Sequence, residues 1–577
     1  MRVVILSTPP DLSAYLGEIL RTWGLPLCEV AEPDALPTLS PSDAPVVVCP
    51  ASTAIQRHTE SLIAYARRGG RVVCFLPGGA LAVAAGLESE GEKAVPLRLR
   101  VTAYPAAGLA GELLPIVGRA ETYRHTASVR GLAYLSHPGR YEGESVGMTE
   151  TSVGHGKIVA FAFDLARCVL LLRQGDPDRA EFIPAGDGCA RPSHLAAEIG
   201  PNDSGWIPYA DLLSCLFVDL VRRHLCAPVP MFSHLPGDAP GMLLYSGDED
   251  HADIAANDEE FEAVAAASGR MNLYIIPNQT KSTRSDVQRY TPHHDVGPHP
   301  NLRPLDGHPV PERVAEFERQ IRMFQEMFKL PVRSLRNHCT AWAGYLNLVE
   351  VMERLNVRMD ANYFSGTYMR DRSSAPYTGF GAAMPMRFCH PDGRLLNVFQ
   401  QHTHLTDDGM FGPAIDYSYK LSPDTFSVEL RRIFTDIVTR FHTPYAVCIH
   451  PGNWVRFSRP QGQTLLQQAT EYGLPIWSFD QWSEFWEARD TWCFNEMTWD
   501  GAELRFIVKG GRSVDGMSLL LPVNFAGLTL GEVQFDGQDT VCQETRRYGE
   551  KVARVEIPRG KLSTSAVAKY AGSRAKS

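Results

Sequence analysis

Short apolar runs alternate with amphipathic stretches through the first 225 residues. Continuous apolar strands between helices are typical of a parallel sheet that is covered on both faces. The pattern therefore predicts an α/β domain over residues 1–225, built on a flavodoxin-like parallel sheet. Its predicted strands lie at 3–6, 46–49, 72–76 and 157–163, and its predicted helices at 12–23, 60–68 and 212–225.

The alternation of strands and helices stops at a proline-rich segment and then resumes. Residues 226–241 carry four prolines, a composition typical of a linker. Repeated strand–helix units over residues 242–490 predict a barrel of the TIM type, with eight strands or fewer. The predicted strands lie at 242–246, 272–276, 332–335, 357–360, 446–449 and 474–477, and the predicted helices at 258–267, 314–328, 346–355, 465–471 and 479–489.

Beyond residue 490 the hydrophobic period changes from helical spacing to two. Alternating runs at 504–508, 518–521, 528–535 and 552–557 are separated by glycine turns. This spacing predicts a small C-terminal β-sandwich over residues 491–562. The last segment, 563–577, is rich in Ser, Ala and Lys and is expected to be a flexible tail.

Composition and charge exclude some classes of protein. The chain of 577 residues has 56 Lys and Arg against 66 Asp and Glu, a formal net charge of −10. It therefore lacks the basic balance of a nucleic-acid-binding protein. No apolar run approaches the roughly 20 residues that a membrane span requires. The first residues lack a signal-peptide core, which favours a cytoplasmic protein, although export by another route stays open.

The cysteines are scattered and do not form metal-binding pairs. The chain has 12 of them without a C-x-x-C spacing, and several stand inside apolar runs. Buried free thiols in a reducing compartment explain this distribution best. A disulfide framework or a cysteine zinc site is the alternative.

Three acidic residues follow one another at the carboxyl end of the first predicted barrel strand. Asp248, Glu249 and Asp250 stand where barrel folds form their active sites. Like charges this close resist ionising together unless a cation or protons compensate them. A solvated acidic turn or a helix cap is the alternative interpretation.

Histidines and one arginine mark the ends of later strands. His294 and His299 surround a Gly-Pro turn, Arg336 and His338 follow the strand at 332–335, and His450 follows the strand at 446–449. Imidazole and carboxylate groups together suit zinc or a similar divalent ion, and an arginine beside a carboxylate can hold it ionised. Each histidine taken alone could equally be a loop residue.

The order of these segments resembles the polysaccharide deacetylase superfamily, whose domain is the chitooligosaccharide-deacetylase homology domain, over about residues 240–489. The resemblance implies a distorted (β/α) barrel, with Asp248 as general base and Asp250 as metal ligand. His299 matches the first histidine of the second motif, but the position four residues later is Arg303. The missing ligand could be His294, His308 or His338, or the site could bind metal weakly or not at all.

The same resemblance assigns the remaining roles. Arg336 matches the arginine that orients the catalytic aspartate, and His450 matches the general acid. Together they imply a hydrolase that uses a divalent metal ion, zinc first, to remove an acyl group, most often N-acetyl, from a glycan or glycoconjugate. A raised pKa is expected for Asp248 if Glu249 points the same way. Five aromatic residues could form a sugar-stacking wall, or simply be core: Trp342, Tyr363, Phe364, Trp454 and Phe457.

The N-terminal domain resembles the class I glutamine-amidotransferase-like domain. The matching stretch, 62–86, is a helix, two glycines, a strand and a Pro-Gly-Gly turn. Gly78, Gly79 and Ala80 occupy the turn that carries the nucleophilic cysteine in active amidotransferases, and the nearest thiol, Cys74, lies within the strand. We expect a domain for packing or dimerisation, through which the chain could form a homo-oligomer.

Three functions remain open from the sequence. The first is the metal-dependent glycan deacetylase. The second is a metal-independent hydrolase of other C–N bonds, such as those of cyclic amides, which some members of the superfamily cleave. The third is a non-catalytic glycan-binding or assembly protein with a vestigial site.

Overall fold

The computed structural model describes residues 1–52, 54–103, 109, 111–138, 145–196, 206–364, 381–416 and 418–572. The N-terminal unit has these strands: β1 (Val3–Leu6), β2 (Cys28–Ala31), β3 (Val46–Cys49), β4 (Arg71–Phe75), β5 (Leu87–Lys93), β6 (Leu97–Val101), β7 (Leu113–Ile116), β8 (Ala120–His125), β9 (Arg130–Ser136), β10 (Ser145–Val153) and β11 (Gly156–Phe161). Its helices are α1 (Ser13–Thr22), α2 (Thr59–Arg67), α3 (Gly79–Ala84), α4 (Leu165–Gln174), α5 (Pro192–Leu195) and α6 (Tyr209–His224).

Half of the N-terminal sheet is parallel, as the sequence predicts. The sheet order is β2-β1-β3-β4-β11-β10-β9-β6-β7, and the first five strands run parallel in the order typical of flavodoxin-like folds. Every residue of β1 and β3 is buried, as expected of strands covered on both faces. The other four strands extend the sheet antiparallel, and β5 pairs with β8 apart from it.

The proline-rich segment 226–241 is more than a linker. It contains a short strand, β12 (Met231–Phe232), which pairs antiparallel with a strand of the C-terminal region at Leu519 and Leu520. The segment therefore joins that region to the chain that leaves the N-terminal unit. The prediction of a simple linker is therefore wrong. A strand of two residues between prolines is too short to show a hydrophobic period in the sequence.

The central region has the strands β13 (Met242–Asp248), β14 (Asn272–Ile275), β15 (Asp295–Pro298), β16 (Ser334–Leu335), β17 (Met359–Asp360), β18 (Met386–Cys389), β19 (Leu395–Gln400), β20 (Leu405–Thr406), β21 (Pro444–Cys448) and β22 (Ile476–Trp477). Its helices are α7 (Ile254–Ala266), α8 (Arg284–Tyr290), α9 (Val310–Phe328), α10 (Asn347–Arg354), α11 (Asp407–Phe411), α12 (Pro423–Asp436), α13 (Pro451–Asn453), α14 (Arg459–Glu471) and α15 (Phe479–Asp490).

These strands form two sheets that follow each other round a distorted barrel. One has the order β15-β14-β13-β21-β20, with β22 also on β13, and the other has the order β16-β17-β19-β18. All neighbours are parallel except β18 and β19. Across the gap between β15 and β16, the backbone N–H of His338 donates to the carbonyl of Pro300 at 3.0 Å. The carboxyl ends of the parallel strands meet at one edge.

The C-terminal region consists of two antiparallel sheets. Its strands are β23 (Cys493–Trp499), β24 (Glu503–Lys509), β25 (Ser518–Pro522), β26 (Asn524–Phe525), β27 (Leu528–Phe535), β28 (Gln538–Asp539), β29 (Gln543–Arg547), β30 (Glu550–Glu556) and β31 (Ser563–Gly572). One sheet has the order β12-β25-β30-β29, and the other has the order β23-β24-β31-β27-β26, with β28 on β27. The Phe232 and Phe494 rings stack 4.4 Å apart between the two sheets.

The predicted flexible tail is wrong for most of its length. Residues Ser563–Gly572 form β31, which lies between β24 and β27 and pairs with both. Residues 573–577 lie outside the described part of the chain. The α/β class, the parallel half of the N-terminal sheet, the barrel and the strand-rich C-terminal region are otherwise confirmed, and the antiparallel half of the N-terminal sheet was not predicted.

Two further observations bear on the protein's environment. Within the described residues, no helix is both long enough and apolar enough to cross a membrane. All twelve cysteines are unpaired, and most of them are buried.

Candidate functional site

A buried ion pair stands at the carboxyl end of β13. Asp248, the last residue of that strand, accepts a hydrogen bond from Arg336 Nη1 at 2.9 Å on its Oδ1, and both side chains are almost fully buried. Arg336 Nη2 also donates to Ser246 Oγ at 2.9 Å and Thr403 Oγ1 at 3.0 Å. These contacts fix the guanidinium, and with it the carboxylate, at the strand edge.

The charges around Asp248 keep it ionised. Burial alone would raise its pKa, but Arg336, followed by His299 and His450, outweighs burial and lowers the pKa below its ordinary value. The condition under which a raised pKa is expected, a Glu249 side chain that points the same way as Asp248, is not met. Glu249 points away, where its carboxylate accepts hydrogen bonds from Asn257 Nδ2 at 2.9 Å and from two hydroxyls.

Asp250, His299 and His338 form a compact group of potential metal ligands. Asp250 Oδ1 lies 3.0 Å from His338 Nδ1 and 3.3 Å from His299 Nε2. One ligand atom from each residue lies within 4.8 Å of the others. Atoms bound to a common zinc ion at about 2 Å are roughly 3 to 3.5 Å apart, so the spacing of this donor set fits one divalent ion.

The backbone aims these side chains at one point. His299 Nδ1 donates to the carbonyl of Arg336 at 2.7 Å, which leaves the Nε2 lone pair facing Asp250. His338 begins a tight turn in which Cys339 and Thr340 have φ values of 53° and 48°. Such left-handed conformations cost energy, and they set the direction of the His338 ring.

The electrostatics of the group agree with its geometry. Burial raises the pKa of Asp250, but the imidazoles of His299 and His338 outweigh burial and hold it well below its ordinary value. Burial lowers the pKa of His338, yet the Asp250 carboxylate outweighs burial and raises it to about 10. The Asp250 carboxylate and the His338 imidazole thus stabilise each other's charged forms, and a divalent cation bound here would take the place of the imidazole proton beside the carboxylate.

Two of the candidate ligands and the expected ligand position lie elsewhere. His294 stacks on Phe261 at 4.4 Å, and its Nδ1 accepts from the backbone N–H of Met271 at 3.4 Å. His308 is on the surface, 2.9 Å from Glu312. Arg303 pairs with Asp306 at 2.6 Å. Of the three histidines considered, His338 is the one that the fold brings to Asp250.

His450 follows β21 and is held by a carboxylate that the sequence analysis did not identify. Its Nδ1 lies 2.6 Å from Asp407 Oδ1, and its backbone N–H donates to Asp407 Oδ2 at 3.0 Å. Its Nε2 consequently faces the site, 3.8 Å from Asp250 Oδ2. Burial lowers the pKa of His450, but Asp407 and Asp408 outweigh burial and raise it well above its ordinary value.

A signal for Asp407 was present in the sequence. Asp407 and Asp408 follow directly after Thr406, where a short parallel strand ends. A carboxylate pair at the end of a barrel strand is the same pattern that singled out Asp248 and Asp250. The neighbouring His402 and His404 are buried core residues whose Nε2 atoms contact backbone carbonyls.

A cleft of about 440 Å³ opens beside Asp250 and His450. Phe457, Ile415 and Pro413 give it apolar walls, and Asp408 and Asn453 give it polar ones. Of the five aromatic residues considered for sugar stacking, only Phe457 is among the residues that line this cleft. The other four are buried in the core: Trp342, Tyr363, Phe364 and Trp454.

The N-terminal turn that resembles an amidotransferase elbow has no thiol. Gly79 has a φ of 53° and begins α3 directly after the strand β4. Cys74 is buried within β4, and burial raises its pKa to about 12. The resemblance of this domain to amidotransferases stays a prediction.

Comparisons with known proteins add the following. No protein-family profile matches the chain, and no curated protein matches it by sequence. Among solved structures, Agd3, described as a novel carbohydrate deacetylase, has 10% identity and a TM-score of 0.42, and the match covers 98% of each chain. A Mycobacterium smegmatis protein assigned as a polysaccharide deacetylase has 11% identity and a TM-score of 0.33, over 45% of this chain and 93% of that one. A β-galactosidase from Rahnella sp. R3 has 16% identity and a TM-score of 0.22, over 28% of each chain. Similarity at this level identifies neither the family nor the activity of this chain.

Proposed function

We propose that this chain is a metal-assisted hydrolase that removes an acyl group, with N-acetyl as the first candidate, from a glycan or glycoconjugate. One observation carries the proposal. The Asp250 carboxylate has three imidazole nitrogens around it, those of His338 at 3.0 Å, His299 at 3.3 Å and His450 at 3.8 Å. His299 Nε2 is also 3.8 Å from Asp248 Oδ2. The proposed base Asp248, the proposed ligand set around Asp250 and the proposed acid His450 thus lie side by side.

Asp250, His299 and His338 would hold the metal ion. A divalent ion bound there, zinc first, supplies a Lewis acid that polarises the acyl carbonyl and makes water more acidic. His294, proposed from the sequence as a ligand, is excluded from this set because its ring packs on Phe261. The backbone carbonyl of Arg336 holds the His299 ring, and the guanidinium of the same residue pairs with Asp248. One residue thus positions both the ligand set and the ion pair.

Asp248 would act as the general base. Its lowered pKa keeps it ionised at neutral pH, and its Oδ2 is the oxygen that Arg336 Nη1 does not hold. A water between Asp248 and Asp250 could therefore give its proton to Asp248 while it adds to the acyl carbon. Arg336 holds the carboxylate in position and does not itself exchange a proton.

His450 would act as the general acid. Asp407 holds its Nδ1, so the Nε2–H points towards Asp250 and the cleft. The raised pKa of His450 keeps this proton in place until the leaving atom needs it. Donation to that atom breaks the acyl bond and leaves a neutral imidazole, which Asp407 keeps in its orientation.

A glycan is the substrate class to assay first. The cleft beside His450 has apolar and polar walls and a volume of about 440 Å³, which fits a sugar-sized group. The descriptions of Agd3 and of the M. smegmatis protein name carbohydrate and polysaccharide deacetylation, and these substrates belong in the first panel. The N-terminal domain as a site of packing or homo-oligomer formation remains part of the proposal.

The metal-independent hydrolase was favoured by the absence of a second histidine at position 303 and by a cytoplasmic context. His338 Nδ1 lies 3.0 Å from Asp250 Oδ1 and would supply the second histidine of the ligand set, which supports the metal-dependent alternative. A non-catalytic glycan-binding protein would not need the acid–carboxylate pair of His450 and Asp407.

Metal content and turnover measured on the same samples test the proposal. Asp250→Ala and His338→Gln should each lose a near-stoichiometric transition metal, measured by plasma mass spectrometry. Asp248→Asn should keep the metal and lose about 10²- to 10⁴-fold in kcat on acetylated glycan oligomers. His308→Gln, a candidate ligand that lies on the surface, is the matched control and should keep both.

Two results would contradict the proposal. A wild-type chain that holds no metal after reconstitution would remove the ligand set from consideration. Full turnover by Asp248→Asn would remove the assignment of the base, whatever the metal content.

A further inference from the structure

We propose that Asp408 recognises the leaving nitrogen of the substrate, so that the site prefers amides of amino sugars to acyl esters of sugars. This inference rests on the proposed function and specifies its substrate class. Asp408 follows Asp407 in α11 and faces the cleft beside His450. Its side chain is about one quarter exposed, in contrast to Asp407, which is fully buried.

One carboxylate oxygen of Asp408 is bound by Asn453, and the other lies near His450. Asn453 Nδ2 donates to Asp408 Oδ1 at 2.6 Å. Asp408 Oδ2 lies 3.9 Å from His450 Nε2, the atom that gives its proton to the leaving group. A leaving atom that contacts His450 Nε2 on the side facing Asp408 is therefore also within reach of Asp408 Oδ2.

The local charge leaves a place for a cation. Two carboxylates, Asp407 and Asp408, face one imidazole, His450, which is paired with Asp407 through Nδ1. Burial and the neighbouring Asp407 raise the pKa of Asp408 although His450 opposes them, so its negative charge is not fully compensated. An ammonium group at this point would provide the missing compensation.

Four other polar residues of the cleft do not replace this role. Arg456 is exposed at the rim, where its Nε donates to the carbonyl of Gly452 at 2.9 Å. The amide of Asn453 is occupied by Asp408 itself. Of the carboxylates that line the cleft, Glu249 is directed at hydroxyls and an amide, and Asp250 belongs to the ligand set.

The chemistry of the two leaving groups explains the preference. Water adds to an amide carbonyl and gives a proton to Asp248. His450 then gives its proton to the nitrogen of the tetrahedral intermediate, which carries a positive charge until the C–N bond breaks and acetate and an amine leave. An ester oxygen takes up the proton as its C–O bond breaks and leaves as a neutral alcohol. A carboxylate at the leaving atom therefore favours nitrogen over oxygen.

The test compares Asp408→Asn with wild type in the full chain, loaded with zinc. The asparagine oxygen can still accept from Asn453, which preserves the local packing. We expect kcat/KM on N-acetylated amino-sugar oligomers to fall about 10- to 100-fold, and kcat/KM on O-acetylated xylo-oligomers to change by less than about threefold. Asp424→Asn removes the same charge from an exposed position of α12 and should change neither.

A binding measurement gives a second readout that does not need turnover. By calorimetry, wild type should bind glucosamine more tightly than N-acetylglucosamine, and Asp408→Asn should lose about tenfold in glucosamine affinity. If the chain hydrolyses neither class of substrate, the proposed function fails and this binding difference decides the inference by itself.

Three outcomes would overturn the inference. An equal loss of kcat/KM on amides and esters would mean that Asp408 only positions His450. Unchanged glucosamine binding in Asp408→Asn would remove the ammonium contact. A second zinc equivalent that Asp408→Asn loses would show that Asp407, Asp408 and His450 hold a metal ion instead of an amine.

Discussion

At the scale of single residues, the site depends on carboxylates that set the direction of other side chains. Asp407 holds His450 through its ring nitrogen and its backbone N–H, at 2.6 Å and 3.0 Å. Ser458 Oγ donates to the same carboxylate at 3.2 Å. An acid whose ring could turn would present its proton to the leaving atom only part of the time, so the proposed role of His450 depends on this support.

Asp407→Asn tests that support through the pH profile. An asparagine amide cannot stabilise the imidazolium, so the pKa of His450 should fall. Since His450 must be protonated to act as an acid, activity is lost as pH rises through its pKa. We expect the alkaline limb of kcat against pH to move to lower pH by about one unit or more, and kcat to fall about 10²-fold or more.

A control separates this effect from a loss of folding. Asp436→Asn removes a carboxylate from the surface of α12, where it pairs with Arg440 at 3.3 Å, and should leave the profile unchanged. A reduced kcat with an unmoved alkaline limb would mean that Asp407 does not control the charge of His450.

The sequence could predict much of the site because strand ends could be predicted. Asp248, Asp250, His299, Arg336 and His450 all follow apolar runs, and the fold brings them together. The third ligand could not be chosen, because the direction of His338 depends on a turn with positive φ at Cys339. The spacing of hydrophobic residues does not predict such a turn. It also does not predict that Glu249 points away from the site.

At the scale of elements, the strand β31 forms where the amino-acid composition predicts a flexible tail. Its residues are Ser, Thr, Ala and Lys for the most part, and every second residue from Thr564 to Tyr570 is buried. The buried positions hold small residues such as Ala566 and Ala568, which carry little hydrophobic signal. The strand is nevertheless paired on both sides, with β24 and with β27.

Two truncations test the role of β31. A chain that ends at Leu562 would leave β24 and β27 with open edges and should expose their apolar faces, which favours aggregation. A chain that ends at Gly572 keeps the strand and should fold like the full chain. Thermal unfolding and hydrogen exchange of the C-terminal strands would distinguish the two, and equal stability of both chains would contradict the central position of β31.

The antiparallel half of the N-terminal sheet escaped prediction for a related reason. Strand β10 contains Thr149, Glu150 and Thr151, which are polar but buried. Glu150 pairs with Lys157 at 2.8 Å, so its charge is compensated inside the sheet. A prediction that takes polar residues as exposed does not recognise such a strand. The strands β1 and β3, which are entirely apolar, can be predicted from the sequence.

At the scale of the whole molecule, arginine side chains join the three regions. Arg489, in the last helix of the barrel, donates to Thr22 O at 3.0 Å, at the end of α1, and to Ser233 O at 2.8 Å, next to β12. Arg387 lies between Glu18 of α1 and Asp490 of α15. Arg173 of α4 donates to Met384 O at 2.7 Å, next to β18. These contacts span long distances in sequence and give no local signal.

Such contacts predict that the regions unfold together. Arg489→Met would leave the carbonyls of Thr22, Phe232 and Ser233 buried without donors at the meeting point of all three regions. We expect a loss of about 3 kcal/mol in unfolding free energy, and a single denaturation transition that separates into two. Arg322→Met, which removes only a surface pair with Glu318, is the control and should cost less than about 1 kcal/mol. If Arg489→Met unfolds in one transition at the wild-type midpoint, then apolar packing alone couples the three regions and the buried cation is dispensable to them.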